Sequence, residues 1–83
     1  MDRIARLVQR MRDPPRNVGF ADLARVCDHC FGRPRQRGTS HRVYRTPWAG
    51  DPRVNVQRGA AGMAKAYQVR QVLTAIDRLE RES

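Results

Sequence analysis

Four apolar side chains near the amino terminus recur at helical spacing. They are Ile4, Leu7, Val8 and Met11, and positions i, i+3, i+4 and i+7 lie on one face of a helix. The pattern predicts a helix over residues 2–12. Asp13-Pro14-Pro15 ends it, because the α conformation is disfavoured for a residue that precedes proline. We expect residues 1–15 to form a helical extension of a domain that spans residues 16–83.

Two further segments have the same helical period. Residues 19–31 carry a stripe of Phe20, Leu23, Ala24, Cys27, Cys30 and Phe31, and Gly32 follows as a typical C-terminal stop. Residues 67–82 carry a stripe of Val69, Val72, Leu73, Ile76 and Leu79. Both segments are predicted to be helices. In the second, Asp77 and Arg81 have the spacing of an i, i+4 ion pair.

Between these two helices the pattern alternates, as in strands. Residues 33–37 are polar and extended, and Pro34 suits an edge position. Residues 41–46 alternate after a turn at 38–40, and the loop at 47–52 is rich in turn formers. Residues 53–57 alternate most cleanly, with Val54 and Val56 on one face. The sequence therefore predicts an α+β fold, in which helices 19–31 and 67–80 cover one face of a three-stranded antiparallel sheet.

The charge of the chain points to a polyanionic partner. Its 83 residues include 17 Lys and Arg against eight Asp and Glu, a net charge of +9, and Lys65 is the only lysine. Arginine presents a planar fork of donors that matches phosphate oxygens, and so high a net charge attracts nucleic acid over long range. Eighty-three residues form one small domain, so we expect a shallow surface site.

The cysteine content and hydropathy favour a cytoplasmic protein. Cys27 and Cys30 lie three positions apart within one predicted helix, and no apolar leader precedes them. A structural zinc site requires four ligands, and the chain has no second cysteine pair. No apolar stretch approaches the ~20 residues of a membrane span. We therefore expect a reduced, cytoplasmic protein with no membrane contact, no metal site and no cofactor.

One histidine lies in an arginine-rich segment. The turn Gly38-Thr39-Ser40 leads directly into His41, and Arg35, Arg37, Arg42 and Arg45 flank it. Histidine exchanges protons near neutral pH, so His41 is a candidate general acid or base for phosphodiester cleavage. The turn amides and the arginines are candidate phosphate ligands. The alternative is a surface histidine with solvated arginines around it.

Three other groups are candidate RNA contacts. Lys65 precedes the last helix, whose N-terminus suits a phosphate. Tyr44 and Trp48 could stack on unpaired bases, or Tyr44 could belong to the core and Trp48 could cover the edge of the core. Asn55 and Gln57 share a strand face and could hydrogen-bond bases or ribose, or could simply be polar residues on an open sheet face.

The segment from Arg35 to Arg45, with residues 53–57, 62–65 and 67–73, resembles the HicA family of bacterial toxins. The resemblance covers about residues 18–80. The family's active histidine follows a Gly-Ser type of turn, and here the matching residues are Gly38 and His41. Two features depart from the family pattern. Val56-Gln57-Arg58 stands where many members have Pro-X-His, and the helix at 2–12 is additional, so its role in dimerisation, antitoxin contact or core extension is open.

The resemblance implies a fold like that of double-stranded-RNA-binding domains (dsRBD-like) and a specific activity. HicA toxins are endoribonucleases that cleave mRNA and block translation, and a HicB antitoxin neutralises them. It implies that His41 is the catalytic residue and that the chain joins a toxin–antitoxin complex, whose oligomeric state the sequence leaves open. Because the sequence has no obvious cluster of metal ligands, we expect cleavage to be independent of metal. Two alternatives remain: a non-catalytic RNA-binding module, and a protein-interaction subunit of a DNA-binding repressor complex.

Overall fold

The computed structural model describes residues 2–36, 41–50 and 53–82. Its helices are α1 (Arg3–Arg12), α2 (Phe20–Phe31) and α3 (Ala66–Arg81), and its strands are β1 (Arg35–Gln36), β2 (His41–Tyr44) and β3 (Val54–Gln57). A short 3-10 turn, Ala60–Gly62, precedes α3. These elements confirm the predicted α+β class and lie within a few residues of the boundaries expected from the hydrophobic periodicity.

The sheet is built around the antiparallel pair of β2 and β3. Tyr44 lies opposite Val54, and His41 lies opposite Gln57. β1 has only two residues and pairs antiparallel with β2, so that Arg35 lies opposite Val43. The extended segment expected over residues 33–37 is therefore a very short edge strand. The predicted turn at 38–40 lies outside the described residues.

The core lies between one face of the sheet and helices α2 and α3. Tyr44, Val54 and Val56 are buried on this face. They share the core with Val26 of α2 and Val72 of α3, which are fully buried. The alternation of β3 explains the arrangement, because successive side chains of a strand point to opposite faces. The face that carries Asn55 and Gln57 stays exposed, as the sequence predicted.

Helix α2 ends where the sequence predicted. Gly32 follows its last residue with φ 86°, in the left-handed region that glycine adopts most readily. The Gly32 N–H donates to the carbonyl oxygen of Asp28 at 3.1 Å, which satisfies one of the carbonyls at the helix end. The chain then turns away from the helix and enters β1.

Helix α1 packs against both α2 and α3 and contributes to the same core. Met11 at its C-terminal end is only 1% exposed. Leu7 and Val8 are partly buried against the core. Among the roles left open for this helix, the structure therefore favours extension of the core.

Asp77 of α3 pairs with α1 rather than with its own helix. Its carboxylate accepts a hydrogen bond from Arg12 Nη2 at 2.8 Å, whereas the sequence predicted a pair with Arg81. Arg81 acts on Asp77 only as a nearby positive charge. The difference is tertiary: the packing of α1 on α3 brings Arg12 to Asp77 across 65 positions of sequence.

The described helices do not have the properties of membrane spans. The longest, α3, has 16 residues, and none of the helices in the described ranges is both long and apolar enough to cross a bilayer.

Candidate nucleic-acid interface

The pleat of β2 divides the predicted site residues between two faces of the sheet. Arg42 and Tyr44 lie opposite Val56 and Val54, which are buried beneath the helices. His41 and Val43 alternate with them and therefore lie on the other side, which we call the open face. The open face carries His41, Val43, Asn55, Gln57 and Arg35. The predicted site residues of these strands therefore lie either on this open face or on the face that the helices cover.

Two shallow cavities cover the open face. One, of about 430 Å³, is lined by Arg35, His41, Val43, Arg53 and Asn55. The other, of about 380 Å³, is lined by Arg33, Pro34, Arg35, Val43, Arg45 and Arg53. Because they share Arg35, Val43 and Arg53, the two cavities form one continuous depression across the sheet.

This depression is strongly basic. Four guanidinium groups line it, those of Arg33, Arg35, Arg45 and Arg53, together with the half-buried imidazole of His41. No Asp or Glu occurs among the described residues of its lining. Planar guanidinium groups hold phosphate oxygens in bidentate geometry. The open face can therefore bind a phosphodiester backbone and bring it to a histidine.

Arg42 does not belong to the open face. Its Nη1 atom lies 3.5 Å from Oδ2 of Asp28 on α2, and its guanidinium lies 5.8 Å from the centre of the Phe20 ring. Its buried Nε has no hydrogen-bond partner among the described residues. The sequence grouped Arg42 with His41 as a phosphate ligand, but in the structure Arg42 lies on the opposite face of the sheet, because adjacent residues of a strand project to opposite faces.

Tyr44 is a core residue and not a platform for bases. Its hydroxyl donates to Oδ1 of Asp28 at 2.7 Å, and its ring lies 6.3 Å from that of Phe31. Burial, and then the hydrogen bond to Asp28, raise the pKa of the Tyr44 phenol above its ordinary value. Of the two alternatives that the sequence left open for Tyr44, the structure selects the core.

Trp48 is half-buried at the β3 edge of the sheet. It packs against the core, and the guanidinium carbon of Arg78 lies 4.2 Å from the centre of its ring. This distance is typical of a cation–π contact. This packing agrees with the alternative in which Trp48 covers the core edge, without testing whether its ring also stacks on a base, and the contact with Arg78 was not predicted from the sequence.

The remaining predicted ligands fall into two groups. Lys65 is the residue that precedes the first turn of α3, and it is not among the described residues that line the two open-face cavities. Arg37, Gly38, Thr39 and Ser40 lie outside the described residues. Of the predicted phosphate ligands, the structure therefore brings Arg35 and Arg45 together with His41 on one face.

Sequence analysis missed two arginines of this depression. Arg53 precedes Asn55 by two positions in the predicted strand, and Arg33 precedes Arg35 by two positions in the extended segment. The alternation of residues 53–57 was by itself sufficient to place Arg53 on the same face as Asn55. Its proximity to His41 required the antiparallel register of β2 and β3, which no local pattern specifies.

The two cysteines are placed as small apolar residues. Cys27 is fully buried, and Cys30 is half-buried. Burial raises the pKa of each thiol above its ordinary value, so neither thiol is activated as a nucleophile. Within the described ranges, no group of three or more His, Cys, Asp or Glu side chains is arranged to hold a metal ion.

Comparison of the chain with models of protein families, with curated proteins and with solved structures found no significant match.

Proposed function

We propose that this protein is an endoribonuclease that uses His41 to cleave RNA on the open face of its sheet. The observation that carries the proposal is the placement of His41 in a cavity with Arg35, Arg53 and Asn55. A basic depression that holds a histidine, a side chain able to act as a general acid or base, is suited to binding and cleaving a phosphodiester. The face is shallow and exposed, as a polymeric substrate requires.

The chemistry needs the RNA, one proton acceptor and water as the proton donor. His41 takes the proton of a ribose 2′-hydroxyl, and the 2′-oxygen forms a bond to the adjacent phosphorus. The bond from phosphorus to the 5′-oxygen breaks, and that oxygen takes a proton from water. The hydroxide so formed takes the proton from the protonated His41, which restores the neutral imidazole. The products are a 2′,3′-cyclic phosphate and a 5′-hydroxyl. Arg35 and Arg53 stabilise the negative charge that develops on the phosphoryl oxygens.

The resemblance to HicA toxins supports a more specific form of the proposal. The order of helix, three strands and helix from α2 to α3 agrees with a dsRBD-like fold, although β1 has only two residues. On this hypothesis the protein cleaves mRNA in the cytoplasm, inhibits translation, and is neutralised by a HicB-like antitoxin in an oligomeric complex. The neighbouring reading frame would provide a test, since a HicB-like gene is expected beside this one.

The direct test compares His41→Ala with His29→Ala. His29 is exposed on α2, away from the open face, and provides a control for loss of a histidine. We expect His41→Ala to reduce the cleavage rate of single-stranded RNA roughly 10²–10⁴-fold, while His29→Ala retains activity. The assay would use purified chain in the presence of a chelator, with the new RNA ends identified.

The same variants can be tested in growing cells. Induced wild type and His29→Ala should arrest growth with loss of mRNA, and His41→Ala should do neither. Equal melting temperatures would show that each variant is folded. A folded His41→Ala chain with full cleavage activity would overturn the proposal.

A non-catalytic RNA-binding module is the second candidate. It is favoured by the fact that His41 is the only histidine among the described residues that line the open face, whereas cleavage involves two proton transfers. This candidate predicts RNA binding that survives His41→Ala, weakens with salt and yields no cut RNA from the wild type.

A further inference from the structure

A third cavity adjoins the open face where the sheet meets α3. It has a volume of about 400 Å³ and lies beside β3, which forms the edge of the sheet opposite to β1. Trp48, Val54 and Ala75 give it apolar walls, and Asn55, Gln71 and Thr74 contribute polar groups. Apolar walls with a few converging polar groups are typical of sites for small ring systems.

One wall of this cavity is formed by two planar groups, the Trp48 ring and the Arg78 guanidinium. The guanidinium of Arg78 lies over the Trp48 ring, 4.2 Å from its centre. Arg78 Nε also donates to Glu82 Oε2 at 2.8 Å, so the guanidinium is held between an aromatic ring and a carboxylate. Unpaired bases stack on aromatic rings and on guanidinium planes, and this pair offers both.

The polar groups of the cavity suit the edge of a base. Asn55 and Gln71 are exposed, and each amide carries both a donor and an acceptor. The Thr74 hydroxyl donates to the Arg70 carbonyl at 3.0 Å, so its oxygen still has capacity to accept. The cavity therefore offers the paired donors and acceptors with which proteins contact a base edge.

The cavity is continuous with the depression that holds His41. Arg53 and Asn55 line both. A strand whose phosphates follow the arginines of the open face therefore reaches the edge of β3, where a base can turn into the cavity. The sheet itself sets this path, because Asn55 lies opposite Val43, two positions along β2 from His41.

We propose that this cavity is a base-binding subsite, in which the Trp48–Arg78 pair stacks on one unpaired nucleobase and Asn55 and Gln71 bind its edge. This inference rests on the proposed function, since it assumes that RNA lies on the open face. It makes the preferred substrate single-stranded RNA, because a base within a duplex is already stacked and paired.

The test measures binding to two probes of equal length and charge. One is a short single-stranded RNA, and the other is the same ribose-phosphate chain without bases. The full-length chain carries His41→Ala to prevent cleavage. We expect the base-bearing strand to bind about 5- to 150-fold more tightly than the abasic one, the range reported for loss of one stacked base. Arg78→Ala should remove most of this ratio, and Arg81→Ala, on the same helix, should leave it unchanged.

Gln71→Ala provides a second variant, which we expect to fold normally because Gln71 is exposed. It should reduce the ratio between the two probes, whereas Gln9→Ala on α1 should not. Equal binding of both probes would overturn the subsite, and cleavage of RNA by the wild type would still stand as support for the proposed function. Base-dependent binding that is unaffected by Arg78→Ala and Gln71→Ala would also overturn it. Absence of binding to both probes would overturn the subsite and the proposed function together.

Discussion

Binding of single-stranded RNA to the open face is predicted to weaken steeply with salt. Four guanidinium groups line the basic depression, those of Arg33, Arg35, Arg45 and Arg53. Each phosphate contact on a single strand contributes about −0.7 to the slope of log K against log salt concentration. Four contacts give a slope of about −3, which corresponds to a roughly 50-fold loss of affinity between about 50 and 200 mM salt.

Two arginine variants test whether only the arginines on the open face contribute to the salt dependence of RNA binding. Arg35→Ala removes one guanidinium from the depression, so the slope should fall to about −2. Arg42→Ala removes the same charge from the next strand of the sheet, but its guanidinium lies beneath the sheet beside Asp28 and Phe20. The slope of the Arg42→Ala chain should therefore match that of its parent.

The assay is fluorescence anisotropy of a labelled single-stranded RNA, titrated with the His41→Ala chain and its two arginine derivatives across a series of salt concentrations. Thermal unfolding establishes that each variant is folded. A slope near zero for the parent would show that the arginines of the open face do not contact phosphates. Equal reductions of the slope by Arg35→Ala and Arg42→Ala would contradict the division of the site between the two faces.

Three further predictions concern the core and the helices around it. Met11→Ala should lower the free energy of unfolding by about 2–5 kcal/mol, because the side chain is 1% exposed; a change below about 1 kcal/mol in urea denaturation would mean that α1 is not part of the core. The hydrogen bond from Arg12 lowers the pKa of the Asp77 carboxyl, so its stabilising effect is present above the ordinary carboxyl pKa of about 4 and is lost as the pH falls below it. Asp77→Asn should accordingly lower the urea midpoint near neutral pH and leave it unchanged in strong acid, and the same difference at both pH values would refute the role of the ion pair. A thiol reagent should modify Cys30 faster than Cys27 in the native protein, because Cys27 is fully buried and burial raises the pKa of its thiol; equal rates, followed by mass spectrometry, would contradict the packing of α2.

Local patterns were sufficient to predict the helices and the main strands. The apolar stripe at 19–31 predicted α2 to within one residue, and Gly32 ends it as expected. The alternation at 53–57 separated Val54 and Val56 from Asn55 and Gln57, as observed. These predictions succeeded because a helix or strand places its side chains at a fixed period, and each period is visible in a short window of sequence.

The composition of the site could be only partly predicted. Clustering of arginines around His41 predicted a basic surface, and Arg35 and Arg45 do line it. Proximity in sequence also suggested Arg42, which the pleat of β2 directs toward the helices instead. Arg53 enters the site from another strand, so its place depends on the register between β2 and β3.

By itself, the sequence determined the class of secondary structure, the apolar faces of the helices and of β3, and the strongly basic character of the protein, because these follow from local period and from charge. Only the tertiary structure decided that α1 joins the core through Met11, that Asp77 pairs with Arg12, and that Arg78 stacks on Trp48. Each of these contacts joins residues that lie far apart in the chain. They depend on how helices and strands pack against one another, and the free energy of that packing is shared by the whole core rather than encoded in any one segment.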